Sequence, residues 1–470
     1  MPVVAGVDSS TTATKVEVRD LDSGQVIGRG AAPHPPTQPP RSEQDPDAWW
    51  TAFGAAWSQA GEPDVAAISV AGQQHGMVAL DDARGVIRPA KLWNDTESAP
   101  DAAWLIKQLP GGRKAWADAC GLVPVASFTI TKLSWLHRSE PAAWSRLAHV
   151  VLPHDWLTSR LTGRLTTDRG DASGTGYWSA ASGTYRDELL GIVDAGRDWS
   201  TAVPEVLGPG EIAGEWRGAV VGPGTGDNMA GALGVGLRSG DVAVSIGTSG
   251  TVYSVCDEPT ADPSGIVAGF ADATGRHLPL VCTLNATKVT DAVRRLLDVD
   301  HQTFDELALA GPPGAGGLTL LPYLDGERSP DRPDATGVLA GIRSDVGRDE
   351  LARAAVEGVI CGLLDGLDAL MAFAPAGGRL ILVGGGARSR AYRQLLADLS
   401  GRPVLVPRGE ELVATGACVQ AAAVATSAEP ADVADRWKLG DGDLVEPGAG
   451  SSAAAEVRAA YAALRDATAE

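Results

Sequence analysis

The chain opens with PVVAGV, a short apolar, β-branched run that breaks at a hydroxyl cluster, DSSTTATK, before VEVRDL resumes the alternation. That pattern predicts two strands around a tight polar turn. Far downstream, DVAVSIGTSGTVYSV repeats the plan with a Gly-Thr-Ser-Gly turn between two apolar strands. The recurrence suggests two related domains, each opening with such a hairpin. Between them, the Trp-rich DPDAWWTAFGAAWSQA and the stretch PDAAWLIKQL read as helices, and VAAISVAG reads as a buried strand leading into QQHG. AAPHPPTQPPRSEQDP is too rich in proline for a helix or a central strand and is expected as a surface loop. In the later half, RDELARAAVEGVICGLLDGLDALMAFA has the period of an amphipathic helix, and RLILVGGGARS reads as strand, glycine turn and helix start. Strands and helices alternate throughout, so the fold class is α/β. At 470 residues the chain exceeds what one core usually serves. Two domains are expected, 1–238 and 239–470, divided near 236–240, just before the second hairpin.

Composition narrows the partners. Apolar residues at 44% and charged residues at 21% describe an ordinary globular protein. A formal charge of −20 argues against nucleic acid or an anionic membrane, both of which call for a basic patch. Cys120, Cys256, Cys282, Cys361 and Cys418 lie far apart with no C-x-x-C, so buried free thiols in a reducing cytosol are expected. MPVVAGVDSS lacks a basic leader and meets Asp8 too early for a signal peptide. GVICGLLDGLDALMAF, the most apolar long stretch, is interrupted by Asp365 and Asp368, which is wrong for a membrane span. A cytoplasmic protein is the expectation.

Several short stretches could carry chemistry. GTGDNMAGALG, 224–234, sets one carboxylate, Asp227, among glycines and alanines with no other charge. Such an Asp could simply cap a helix that starts at Asn228 or Met229. No Lys follows in the way a P-loop requires. In DSSTTATK, Asp8 stands at a strand end before hydroxyls and a Lys. Backbone N–H groups and hydroxyls in such a turn can hold phosphate oxygens, and the carboxylate can hold Mg²⁺ through water. The same residues can equally close a turn on themselves. SIGTSGT, 245–251, could grip phosphate by the same physics or be a plain hairpin turn. VGGGARS, 383–389, would let a nucleotide lie on bare backbone beside a helix N-terminus. AGQQHG ends a strand with Gln74 and His75 side by side, suited to a small polyhydroxy ligand, and LWND offers Trp93, Asn94 and Asp95. His149 and His154 are too sparsely accompanied for a metal site, and G-x-G-x-x-G and G-x-S-x-G are absent.

Singly these motifs are weak, but their order is specific. Phosphate turn, sugar-like strand end, isolated Asp, second phosphate turn and nucleotide glycines resemble the FGGY carbohydrate kinases in outline from Val3 to about Val419. SFTITKLSWLHR, 127–138, is similar to that family's first signature, with Lys132, Trp135 and Leu136 in place. GVLAGIRSDVGRDELARAAVE, 337–357, is similar to the second throughout. Within the family, SEQDPDAWW, AGQQHG, LWND, TTDRGDASGT, GDNMAGALGVG and LPYLDGERSP are most similar to the members that phosphorylate D-xylulose. The chain departs from them at Ser10, where Gly is usual. It departs again at Gln74, Gly170 and Asp331, where many carry Met, Ser and His.

The resemblance implies two actin/hexokinase-like (ribonuclease H-like) domains with a catalytic cleft between them, and ATP-dependent phosphorylation of D-xylulose to D-xylulose 5-phosphate. By the same resemblance Asp227 is the general base, ionised at neutral pH if its pKa is ordinary. Gln74, His75, Asp227 and Asn228 meet the sugar, and Asp8 organises Mg²⁺ with Asp227. Thr11, Thr12 and Thr248 lie near the ATP phosphates, and Gly385, Gly386 and Ala387 lie along the nucleotide. Dimers occur in the family, so a homodimer is among the implied partners. A kinase for another ketose or polyol (ribulose, a hexulose, glycerol) and a sugar-responsive ATPase without transfer are the competing readings.

Overall fold

The computed structural model describes residues 2–38 and 40–468. They form two compact α/β units. Unit 1 comprises Met1–Leu237, Asp257–Leu278 and Gly409–Gly440, and unit 2 comprises Arg238–Cys256, Pro279–Arg408 and Asp441–Glu470. The chain thus leaves unit 1 where the sequence pattern places a boundary, but the units are not consecutive halves. Two later segments return to unit 1.

In chain order the strands of the main sheet of unit 1 are β1 (Val3–Ser9), β2 (Ala13–Asp20), β3 (Val26–Pro33), β4 (Ala67–Gly72), β5 (Gly214–Trp216), β6 (Ala219–Val221) and β7 (Thr225–Gly226). The sheet order is β5-β6-β4-β1-β2-β3, with β7 also paired to β4. β1 and β2 form the expected antiparallel hairpin, from Val3↔Asp20 to Ser9↔Thr14. Ser10 has no positive φ, so the turn does not require the glycine usual there, and its hydroxyl donates to Ala13 O at 3.0 Å. The Pro-rich segment is not all loop. Its first residues, Ala31 to Pro33, finish β3, where an edge strand tolerates proline's missing N–H.

Three helices flank this sheet or extend from its strands: α1 (Pro46–Gln59), α2 (Pro153–Thr162) and α3 (Asp227–Gly234). α1 is capped by Asp45, which accepts from Asp47 N at 3.0 Å, and has proline in its first turn. Its Trp49, Phe53, Ala56 and Trp57 join Val16, Val18 and Ile68 in the core.

The sheet strands followed in unit 2 are β8 (Val242–Ile246), β9 (Gly250–Ser254), β10 (His277–Thr283, which enters the unit at Pro279), β11 (Leu380–Val383), β12 (Val404–Pro407) and β13 (Gly442–Val445). They run in the order β10-β9-β8-β11-β12-β13. β8 and β9 are the second expected hairpin, and β11 lies parallel to β8. The amphipathic stretch is helix α4 (Arg348–Met371). After β11 the glycines turn through Gly384, φ 85°, and helix α5 (Arg390–Ser400) starts with Ser389 as its cap.

The returning segment Gly409–Gly440 supplies helix α6 (Leu412–Thr426), which packs on β1, β4 and α3. Its residues LVATGACVQAAAVAT are small and apolar on every side because nearly every side is covered. No single helix among the described residues is long and apolar enough to cross a membrane. The approach is so close that only glycine fits. A methyl on Gly416 would stand 1.9 Å from Ala230 O, one on Gly234 1.9 Å from Leu412 O, and one on Gly6 2.1 Å from Ala414 O.

Gly416→Ala therefore has to push α3 off α6, and overpacking of this kind costs about 1–3 kcal/mol. The expected result is a lower urea midpoint for the substituted chain. Gly54→Ala is the control, because its methyl meets nothing within 4 Å on an exposed face of α1. That change should hold or raise the midpoint.

Candidate functional site

β1, β4 and β7 are parallel neighbours, and each runs out into polar residues at its carboxyl end. In open α/β sheets this is where ligands gather. Ala71 of β4 pairs with Asp8 of β1 on one side and Thr225 of β7 on the other. Two strand spacings, about 10 Å, thus separate the outer backbones. Asp8 comes from β1, Gln73, Gln74 and His75 follow β4, and Asp227 and Asn228 follow β7.

Asp227 is not a helix cap. Gly226 occupies that position, and Asp227 begins α3 with its Oδ1 accepting from Asn228 N at 2.8 Å and Asn228 Nδ2 at 3.0 Å. Its carboxyl stays accessible from one side, while the surrounding protein withdraws it from bulk water. That withdrawal, with the charges of Asp8 and Asp171, raises its pKa to about 7, so it is not the ordinary carboxylate the sequence alone implies. Asp8 is 5% exposed, and its Oδ1 has no hydrogen-bond partner. Burial lifts its pKa to about 7 as well, opposed by Lys15 and assisted by Glu411. Two carboxyls withdrawn from water, one raised by the charge of the other and one with an orphaned oxygen, form a donor set suited to a hard divalent cation carried with its waters. Mg²⁺ fits these residues.

Gln74 accepts from Asn228 Nδ2 at 2.8 Å, and its own Nε2 is buried without a partner. His75 holds a left-handed backbone, φ 66°, uncommon for a residue with a side chain. Its ring lies 5.1 Å from Phe128 and 5.4 Å from Phe270. Its backbone N–H donates to Asp171, which in turn bonds His154 Nδ1 at 2.7 Å. Burial works against a charge on His154, but Asp155, Asp171 and Asp168 outweigh it and lift its pKa to about 9. Asp168 accepts from Gly170 N, Asp171 N and, at 2.7 Å, from Thr225 Oγ1, two residues before Asp227. The acidic company of His154 thus exists, though as a buried charge network. Asp168 and Asp171 lie in TTDRGDASGT, a stretch whose sequence alone suggests no role for either.

Thr11 departs from its expected place at a phosphate. Its hydroxyl accepts from Trp93 Nε1 at 2.9 Å and donates to Gln73 Oε1 at 3.1 Å, so its one proton is already committed. Thr12, by contrast, is exposed at the hairpin tip. Beyond Trp93, Asn94 Oδ1 is buried without a partner. Glu43, Asp95 and Glu97 converge as metal ligands might be arranged, but Lys91 Nζ already sits among them at 3.1, 3.0 and 2.6 Å. That ammonium also lies 3.8 Å from the Trp135 ring. The first-signature residues are likewise structural: Lys132 Nζ donates to Ala126 O at 2.8 Å.

In unit 2 a cavity of about 750 Å³ is lined by Thr248, Gly385 and Gly386, three of the residues the resemblance assigns to the nucleotide, and by Thr287, Asp305 and Arg388, which it does not. Thr248 is exposed at the tip of the second hairpin. Ala387 does not line the cavity. Its N–H closes the turn onto Gly384 O at 3.1 Å, and its carbonyl accepts from Arg393. Gly386 is needed because a methyl there would stand 2.4 Å from Ile246 Cγ2.

Residues 3–234 match the N-terminal domain, and residues 242–425 the C-terminal domain, of the FGGY family of carbohydrate kinases. The xylulose kinase of Streptomyces rubiginosus is 48% identical over 457 residues, 95% of this chain and 92% of that one. The xylulose kinase of Escherichia coli is 35% identical, over 84% of each chain. Among solved structures, the xylulose kinase from Bifidobacterium adolescentis superimposes with a TM-score of 0.88 at 40% identity, covering 99% of both chains. The glycerol kinase of Plasmodium falciparum with ADP shares the fold at 17% identity, with a TM-score of 0.89 and 100% and 99% coverage.

Asp227→Asn should stabilise the protein while keeping its shape. The folded pKa of Asp227 lies above its unfolded value, so its ionisation destabilises the fold as pH rises from about 4 through about 7. An amide escapes that loss. The melting temperature of the variant should exceed that of the parent at pH 8, and the gap should narrow as pH falls through about 7 and close near about pH 4, measured by scanning calorimetry. A lower value at pH 8 would contradict the electrostatic reading.

Proposed function

The chain belongs to the FGGY family of carbohydrate kinases, and we propose that it transfers the γ-phosphoryl group of ATP to the terminal hydroxyl of D-xylulose. One observation carries the site assignment. The carboxyls of Asp8 and Asp227 lie at the strand ends together with buried polar atoms, the acceptor Asp8 Oδ1 and the donors Gln73 Nε2 and Gln74 Nε2, that have no partner among the described residues. Buried polar atoms are rarely left so, and a polyol supplies both kinds of partner. The substrate assignment rests on the likeness to xylulose kinases.

In this reading Gln74, His75 and Asn228 hold the sugar and Asp227 receives the proton of its terminal hydroxyl. A base poised near neutrality is matched to that task and contributes roughly 10²–10⁴-fold. Phosphoryl transfer is largely dissociative, so most of the rate comes from positioning and charge stabilisation. The exposed hydroxyls of Thr12 and Thr248 serve the phosphates, and Gly385 and Gly386 face the nucleotide, with Ala387 shaping their turn. Asp8 and Asp227 hold Mg²⁺, which when bound neutralises charge on the phosphates. The free cysteines accord with work in a reducing cytoplasm.

Coupled ADP release with Mg²⁺ across D-xylulose, D-ribulose, L-ribulose, L-xylulose, D-fructose and glycerol tests the reading. D-Xylulose should be turned over with the highest kcat/KM. Preference for another sugar would move the substrate, with Gln74 the first suspect, and ADP release indifferent to sugar would remove the transferase reading. Asp227→Ala should abolish sugar phosphorylation while ATP binding, followed by calorimetry, persists. Near-normal turnover in the folded variant would remove Asp227 from the role of base.

A further inference from the structure

Indole Nε1 can only donate, a hydroxyl has one proton, and an amide has a donor end and an acceptor end. These inventories orient a chain of side chains in unit 1. Trp93 must donate to Thr11 Oγ1 at 2.9 Å, so Thr11 turns its proton to Gln73 Oε1 at 3.1 Å. The acceptor end of the Gln73 amide is thereby fixed against Thr11, and the Nε2 end points away. Gln73 is 1% exposed, and its Nε2 has no partner. Its backbone N–H continues the ladder to Ser9 O at 3.0 Å, which holds the residue beside Asp8 at the strand ends. A buried amide N–H pair held in one orientation and left unmade is costly unless a ligand completes it.

From this polarity we infer that Gln73 is a substrate-contacting residue whose Nε2 donates to an oxygen of the sugar, and that Thr11 is the positioning residue that fixes its amide. The inference rests on the sugar-kinase reading of this site but not on which sugar is used. A phosphoryl oxygen of ATP is the other source of an acceptor, and steady-state kinetics separates the two.

Gln73→Met keeps the length of the side chain and removes the amide. Measured with the best sugar of the panel, it should raise the KM for sugar about 10- to 100-fold and leave the KM for ATP within about twofold. Thr11→Val should raise the sugar KM in the same direction, and Thr11→Ser, which restores the hydroxyl, should bring it back. Calorimetric titration of the sugar without ATP should show the same ranking, and that signal does not depend on turnover. A rise confined to the KM for ATP would assign Gln73 to a phosphate. Unchanged values for both substrates would overturn the contact. Thr11→Val with a parental sugar KM, beside an impaired Gln73→Met, would overturn the positioning role. A panel led by a sugar other than xylulose would revise the proposed substrate and leave this test standing.

Discussion

Two carboxyls, Asp8 and Asp227, are withdrawn from water and held where the charge of Asp8 raises the pKa of Asp227. Left to themselves they would separate or protonate. The sheet prevents the first, because Asp8 lies on β1 and Asp227 directly follows β7, and both strands pair with Ala71 of β4. Much of unit 1 serves that constraint. Helix α6 lies against β1, β4 and α3, and at β1 and α3 its distance excludes even a methyl group, so the strand carrying Asp8 and the helix beginning at Asp227 are packed on one element. Gln420 of α6 adds two polar staples, accepting from Ser69 Oγ and donating to Gly224 O at 2.9 Å, just ahead of β7. Thr225 is tied from the other side by Asp168. A charged pair needs such over-determination if it is not to relax.

The polar lining follows the same logic with neutral groups. Asn228 donates to both Asp227 and Gln74, so the carboxyl and the amide share one donor and have a fixed spacing. Trp93, through Thr11, orients Gln73. In each case a residue with a single possible role, donor or acceptor, dictates the orientation of a residue with two. Hydroxyls and amides beside a ligand are then preorganised without help from the ligand, which reduces the ordering cost of binding.

What the sequence revealed and what it hid divide along a physical line. Both hairpins, the strand before QQHG, helix α4 and the glycine turn at Gly384 were legible, because each is set by local periodicity and turn chemistry. The membership of Gly409–Gly440 in unit 1 was not legible. A helix buried on nearly every side has no amphipathic stripe to say what covers it, and its small residues read as low specificity, not as close approach. Asp227 was legible as an odd carboxylate among small residues, whereas its raised pKa was not, since the charges responsible are remote in sequence. Asp168, Asp171 and His154 meet only in three dimensions. The doubled glutamine of AGQQHG and the Trp of LWND were visible, but nothing local says that Thr11 joins them.

Thr11 and Thr12 show why adjacent hydroxyls should not be read as one motif. On a hairpin turn, neighbours face different ways. Thr12 stays exposed, and Thr11 is half-buried with its proton committed inside unit 1. A phosphate needs donors, and a hydroxyl whose proton is already given offers it only a lone pair, which repels. The turn that looks like a single phosphate grip therefore divides its labour, one hydroxyl turned outward and the next turned in to hold the amide beside Asp8. The two hydroxyls are neighbours on one short turn, so any shift of the turn moves the outward group and the inward one together.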